Sequence, residues 1–388
     1  MNKLSSLGGF SLLCIASLTI MVGSVVAPGL LNIAHALGVA EHSSWLITLP
    51  SLGAILFAPF AGKLIDKYGA YPSLVIGLIL YGGVGATVFW LYGPELVFVN
   101  RIFLGAITAV VMASGTVLIS QWYQEKQRLA MIAKQGMAIE LGGVVFLFLG
   151  GQFAASHWGL PLTLYLFAWV FLAMLLLWVP RQPPKSTESI EIDTPAQVSR
   201  NGLSLFGVYL VTLLAMVTFF SAFILLPKSM AGQGYNEKVI GYVLAFISLI
   251  AVIAAHSIPK IEQRIGEIKL LALAFISYAL AYFAFSYATG LPLLVAGSIL
   301  MGIGFGFSIP LLNYLTVQKS PASVRGRNLS YFTMAVFSGQ FLTSFLEFLN
   351  SETSTIFISY MLLAGFIAAV LLGRELFIKK DKNVINLH

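Results

Sequence analysis

Twelve stretches of almost unbroken hydrocarbon, each close to 20 residues or longer, leave this chain little choice of fold. A helix needs about 20 apolar residues to cross the core of a bilayer. Runs of that length predict helices, because inside lipid every backbone amide must be paired within its own segment. In the first half they cover approximately Gly9–Leu37, Ser44–Gly62, Tyr71–Tyr92, Glu95–Trp122, Leu129–Ala155 and Leu162–Val179. In the second half they cover Leu205–Met230, Val239–Ile258, Ile268–Tyr287, Leu291–Val317, Arg327–Leu349 and Ser354–Leu372. Only 10% of the 388 residues are charged and 58% are hydrophobic, with mean hydropathy +0.90. A water-soluble domain carries roughly a quarter of its residues as charges, so the solvent of this chain is lipid.

The few charges are placed with a bias. Of the 22 Lys and Arg residues, 19 fall at the N-terminus, in the loops after spans two, four, six, eight and ten with their adjoining helix ends, or in the tail from Arg374. Only Arg101, Lys228 and Lys238 lie elsewhere. Such a bias predicts a multi-pass protein of the cell's cytoplasmic membrane with both termini on the cytoplasmic side. The net charge of +7 sits in short loops without a basic, aromatic-studded face, so no nucleic-acid partner is expected. Lys3 and the apolar run behind it resemble a signal peptide, but equally long runs follow, and the segment reads as the first span. The lone Cys14 permits no intrachain disulfide, and no zinc pattern exists.

Two segments share an outline: GKLIDKYG at 62–69 and PKIEQRIG at 259–266. Gly69 and Gly266 stand 197 residues apart, and the same offset carries Gly105 to Gly302, Arg128 to Arg325, Met137 to Met334 and Gly142 to Gly339. The chain therefore reads as two copies of a six-helix unit, an all-α membrane fold of twelve helices in two pseudo-symmetric bundles. The polar stretch RQPPKSTESIEIDTPAQVSR separates them as a flexible linker. The expected domains are residues 1–180, a cytoplasmic linker at 181–203, and residues 204–388 with the tail. Parallel six-span repeats are an architecture that places a substrate site between halves at mid-membrane.

GKLIDKYG resembles the signature between the second and third helices of the major facilitator superfamily, carried here by Gly62, Asp66, Lys67 and Gly69. The twelve spans, the duplication and the central linker match that family over the whole chain. Arg101-Ile-Phe-Leu-Gly105 is similar to the intramembrane arginine motif of its drug/proton antiporters, and GGVVFLFLGG with HWGLPLTLYLF is similar in flavour to bacterial efflux members. Tyr71 and Pro72 stand where the signature usually ends in two basic residues, and Phe146 and Leu147 stand where the antiporter motif has Gly-Pro. The resemblance implies a secondary transporter that needs no cofactor and draws on a proton gradient. It also implies a cytoplasmic gate, in which Asp66 caps a neighbouring helix or meets a cation such as Lys67 or Arg128, facing the eleventh helix near Arg325–Asn328.

Two charges lie within spans. Glu140 is 11 residues past Leu129, roughly 16 Å into the fifth span. An ionised carboxylate at that depth is unfavourable, so it holds a proton or faces a cation or water. Arg101 lies six residues past Glu95, roughly 9 Å from the opposite surface. Counted this way the two groups fall within a few ångströms in depth. One reading pairs them for proton coupling; another gives Arg101 an anionic substrate.

Helical spacing gathers Ser24 and Asn32 on the first span, Thr108 and Met112 on the fourth, and Phe219 and Phe223 on the seventh. Asn313 and Tyr314 on the tenth and Tyr331 and Gln340 on the eleventh complete a candidate substrate cavity. Aromatics with few fixed polar groups favour amphipathic, fairly apolar ligands. GIGFGF at 302–307 lies inside a span without the strand–loop–helix context of a phosphate cradle. No Ser/His/Asp arrangement, Walker motif or histidine set with metal spacing appears. The expected function is proton-coupled efflux of small amphipathic compounds by a monomer working through alternating access. A carrier for one organic anion, such as a siderophore or metabolite, is the rival, and a non-transporting membrane sensor or scaffold is the alternative from another class.

Overall fold

A computed structural model describes residues 4–123, 125–181, 203–321, 324–348 and 352–385. These are helical almost throughout, with no strand among them. The spans are α1 (Ser6–Ala36), α2 (Trp45–Tyr68), α3 (Ala70–Trp90), α4 (Pro94–Trp122), α5 (Glu125–Ser156) and α6 (Leu160–Trp178). There follow α7 (Leu205–Gly232), α8 (Glu237–Ile265), α9 (Glu267–Ser286), α10 (Leu291–Gln318), α11 (Arg325–Leu342) and α12 (Thr353–Ile385). Eleven of them are long and apolar enough to cross a membrane. The exception is α11, which starts with Arg325, Arg327 and Asn328 and gains length from a 3-10 segment, Thr343–Phe348. Apart from Arg181 and Leu203, the linker expected at 181–203 lies outside the described residues.

The chain forms two compact units. One holds α1–α6 with Leu226–Ala245; the other holds α7 up to Leu225 and the chain from Phe246 onward. The end of α7 and the start of α8 thus pack with the first six helices.

The repeat read from sequence recurs as geometry inside each unit. Gly69 ends α2 at φ +88° with its N–H on the Ile65 carbonyl at 2.8 Å. Gly266 ends α8 at φ +85° with its N–H on the Glu262 carbonyl at 2.8 Å. Left-handed backbone at a helix end favours glycine over any residue with a Cβ. Gly105 of α4 lies so close to α2 that an added Cβ would run into the Pro50 carbonyl. Its counterpart Gly302 does the same against Ile247, the residue 197 positions after Pro50, at 2.6 Å. These are helix crossings of the small-residue kind that let two backbones touch in lipid.

The first helix is interrupted, as is α6 by a 3-10 segment at Leu164–Leu166. The α-helical ladder of α1 stops at Ser24, a 3-10 turn spans Ala27–Gly29, and a second short helix runs Leu30–Ala36. Pro28 explains the break, since proline has no N–H and its ring crowds the preceding turn. In the second unit α9 forms the aromatic centre: Phe275, Tyr278 and Tyr282 are completely buried, and Tyr282 and Phe285 pack against Phe357 of α12 with centroids 5.8 and 5.9 Å away.

Gly105→Ala forces α2 and α4 apart and is expected to destabilise the protein by about 1–3 kcal/mol. Gly115→Ala, where nothing lies within 4 Å, is expected to be neutral or stabilising by up to about 1 kcal/mol. Thermal unfolding of the two purified variants compares them directly.

Candidate functional site

The depth of the two intramembrane charges is fixed by side-chain contacts. Gln135 Nε2 of α5 donates to Thr116 Oγ1 of α4 at 3.0 Å. Arg101 lies 15 residues before Thr116, and Glu140 lies five after Gln135. On these antiparallel helices Arg101 is therefore about 15 Å further along than Glu140. The α1 contacts agree in direction: Gly142 packs on Ser17, Gly150 packs on Val25, and Arg101 reaches the level of Val22 through Tyr165. The depths counted from sequence placed the two charges side by side, and the structure separates them. With helices of 29 and 32 residues, each longer than the hydrocarbon core requires, counting inward from their ends does not define a common level.

Arg101 is 1% exposed. Its Nη2 and Nε donate to Asn100 Oδ1 at 3.0 and 3.3 Å, and its Nη1 donates to the Tyr165 hydroxyl at 3.0 Å. Asn100 in turn donates to the Val84 carbonyl of α3 at 2.8 Å, and the guanidinium carbon stands 5.4 Å from the Tyr165 ring centroid. No carboxylate among the described residues pairs with it. Glu140 is half-buried and has neither hydrogen bond nor ion pair among the described residues. It shares a face of α5 with Phe148 and Gly151 by helical spacing. Phe148 stacks on Tyr242 at 5.5 Å, and a Cβ on Gly151 would meet the Glu237 carbonyl and Gly241 Cα at 2.8 Å. At that end of the unit Asn32 donates to Glu237.

The signature residues gather around the end of α2. Gly62, Asp66, Lys67 and Gly69 are all exposed. Lys67 lies 5.0 Å from the Tyr68 ring centroid, and Asp66 makes no hydrogen bond or ion pair among the described residues. Arg128 is half-buried near the start of α5. The second unit is tied differently: Glu267, four residues past Gln263, accepts from the Leu203 N–H at 3.0 Å and from Lys319 at 3.3 Å. Asn328 donates to Ser320 at 2.9 Å.

The cavity residues divide. Ser24 and Thr108 are buried and turn their hydroxyls onto the Ile20 and Leu104 carbonyls of their own helices. Phe219 and Phe223 pack into the second unit, Phe219 stacked on Phe305 at 3.9 Å. Gln340 is buried, Met112 and Asn313 are half-buried, and Tyr314 and Tyr331 are exposed. Met137 and Met334, partners in the repeat, are both exposed on their units. Sequence reasoning missed Gln135, Tyr81 and Tyr165. Their signal was available as isolated polar tips in apolar spans, each needing a hydrogen-bond partner.

The family model described as Major Facilitator Superfamily matches residues 12–344. Multidrug resistance protein 2 of Bacillus subtilis (strain 168) is 21% identical over 377 residues, 92% of this chain and 91% of that protein. Multidrug resistance protein 1 of the same organism is 28% identical over 189 residues, and the match spans about half of either chain, 46% of each. Among solved structures, a D-xylose-proton symporter superposes with TM-score 0.75 at 17% identity, covering 95% of this chain and 97% of the other. That likeness is one of fold.

Because Asp66 is exposed and has no partner among the described residues, Asp66→Asn is expected to leave unfolding stability within about 0.5 kcal/mol of the parent. A loss above about 2 kcal/mol in a denaturation series would expose a buried contact of that carboxylate.

Proposed function

Because this chain belongs to the Major Facilitator Superfamily, a family of membrane transporters for small molecules, we propose that it exports amphipathic compounds in exchange for protons by alternating access. The observation that carries this reading is Glu140. It is a half-buried acid within a membrane helix that has no cation beside it and no hydrogen bond among the described residues. A carboxyl group so placed is favoured as the neutral acid when water is excluded and as the carboxylate when water reaches it. It can therefore load a proton on one side and release it on the other. The face of α5 that bears it continues to the Phe148–Tyr242 and Gly151–Gly241 contacts, so protonation and closure of that seam act on one rigid helix.

Arg101 contributes to the coupling through the packing of α1, not through an ion pair with Glu140. Its guanidinium is buried and engaged through Nε, Nη1 and Nη2 by Asn100 and Tyr165, which favours a packing role over an anion site. Asp66, without a partner among the described residues, is the half of a cytoplasmic latch that engages in the alternative state. Exposed Met137 on the first unit, and exposed Met334, Tyr314 and Tyr331 on the second, give each unit soft, adaptable surface suited to varied apolar ligands. The multidrug names of the relatives agree with that chemistry. The Lys and Arg bias supports both termini on the cytoplasmic side of the cell membrane, and the duplicated bundle makes a monomer sufficient for a pathway.

Glu140→Gln keeps the size and hydrogen-bonding ends of the side chain but cannot carry a proton. Gradient-driven transport of a labelled panel of cationic, neutral and anionic compounds in everted vesicles is expected to fall at least about tenfold, with binding affinity changed by less than about threefold. Transport that still follows an imposed pH difference in the variant would remove Glu140 from the mechanism.

A further inference from the structure

The break in α1 leaves a carbonyl without its helical donor. In an α-helix the Val22 oxygen takes the N–H of Val26. Here the Val26 N–H turns to the Gly23 carbonyl at 3.1 Å, as the chain tightens into the 3-10 turn before Pro28. The vacated Val22 oxygen instead accepts the Tyr165 hydroxyl of α6 at 2.7 Å. That hydroxyl oxygen accepts from Arg101 Nη1, and Tyr165 itself is 0% exposed. A buried carbonyl left unpaired is unfavourable, so the path of α1 beyond the break is tied to this hydroxyl.

The second unit supplies the comparison. There α7 runs unbroken over Leu205–Gly232. The residue in the place of Arg101 is Ser298, whose hydroxyl only returns to the Leu294 carbonyl of its own helix at 2.7 Å. The buried arginine occurs in the unit whose first helix is broken.

We propose that Tyr165 is a positioning residue for transport: held by Arg101, its hydroxyl fixes the hinge in α1 and thereby directs the segment Leu30–Ala36, which brings Asn32 to Glu237. Without that hydroxyl, a buried water or a rotated peptide has to serve the Val22 carbonyl, and the segment loses its single direction. Asn32 then meets Glu237 only part of the time. The proposal concerns the placement of a helix, and it stands or falls independently of which compounds are carried.

Tyr81 provides an internal control. Its hydroxyl, also completely buried, donates to the Leu18 carbonyl of the same α1 at the same 2.7 Å, but within the regular part of the helix. In a Cys14→Ser background, His35→Cys and Lys238→Cys carry spin labels, and their separation is measured in purified full-length protein in lipid nanodiscs. Tyr165→Phe is expected to broaden the distance distribution by about one helical turn, ~5 Å, and Tyr81→Phe to leave it unchanged. Arg101→Gln, which withdraws support from the Tyr165 hydroxyl at its other side, is expected to reproduce the broadening and serves if Tyr165→Phe does not fold. A distribution unchanged in Tyr165→Phe, or broadened equally in Tyr81→Phe, would overturn the proposal, since loss of any buried hydrogen bond to α1 would then account for it. The measurement uses no substrate, so its failure is distinguishable from failure of the transport reading.

Discussion

Unpaired backbone has no refuge in hydrocarbon, and most of this structure follows from that constraint. Regular helices satisfy it by construction. Departures from regularity leave backbone groups to be answered from elsewhere, and one such answer lies in the first unit. Pro28 removes an amide from α1, the turn before it tightens, and Tyr165 supplies the hydrogen that Val22 would otherwise lack. Arg101 and Asn100 then extend the connection to α3. A residue that first reads as an ion-pair member or a ligand anchor is, in its surroundings, part of the repair of a broken helix.

Close packing is the second consequence. In lipid, apolar side chains gain little from meeting one another, so helices associate through shape and backbone proximity. Gly105 and Gly302 meet Pro50 and Ile247 at the same relative place in each copy of the repeat, although the surrounding sequences have drifted. Basic residues recur at the offset, as Arg128 does in Arg325, but three of the candidate charges do not. Asp66, Arg101 and Glu140 correspond to Gln263, Ser298 and Phe337 in the second copy. Architecture is shared between the copies, whereas the candidate chemistry belongs to one.

The spans were legible because length and hydropathy are local properties of the chain, and the repeat was legible because its landmarks are glycines with steric duties. The eleventh span was the weakest, for Arg325, Arg327 and Asn328 dilute its apolar character. What could not be read was the register between helices. Arg101 and Glu140 looked like neighbours when each was counted from its own helix end, yet the Gln135–Thr116 hydrogen bond sets them far apart. Serine and threonine stripes were equally ambiguous, because Ser24 and Thr108 satisfy their hydroxyls on their own backbone and have no need of a passage. Only the partner of a polar group decides its role, and whether that partner lies on the same helix or on another is not written in the hydropathy pattern.

The crossing of Gly151 and Gly241 carries a mechanical corollary. Most helix contacts interlock, each side chain seated in a recess on its neighbour, and parting them strands apolar atoms and disturbs rotamers. Here two bare backbones lie against each other with no projections to withdraw. Such a contact is exacting about distance: it holds only at full approach, and at the glycines themselves no side chain has to be withdrawn for it to part.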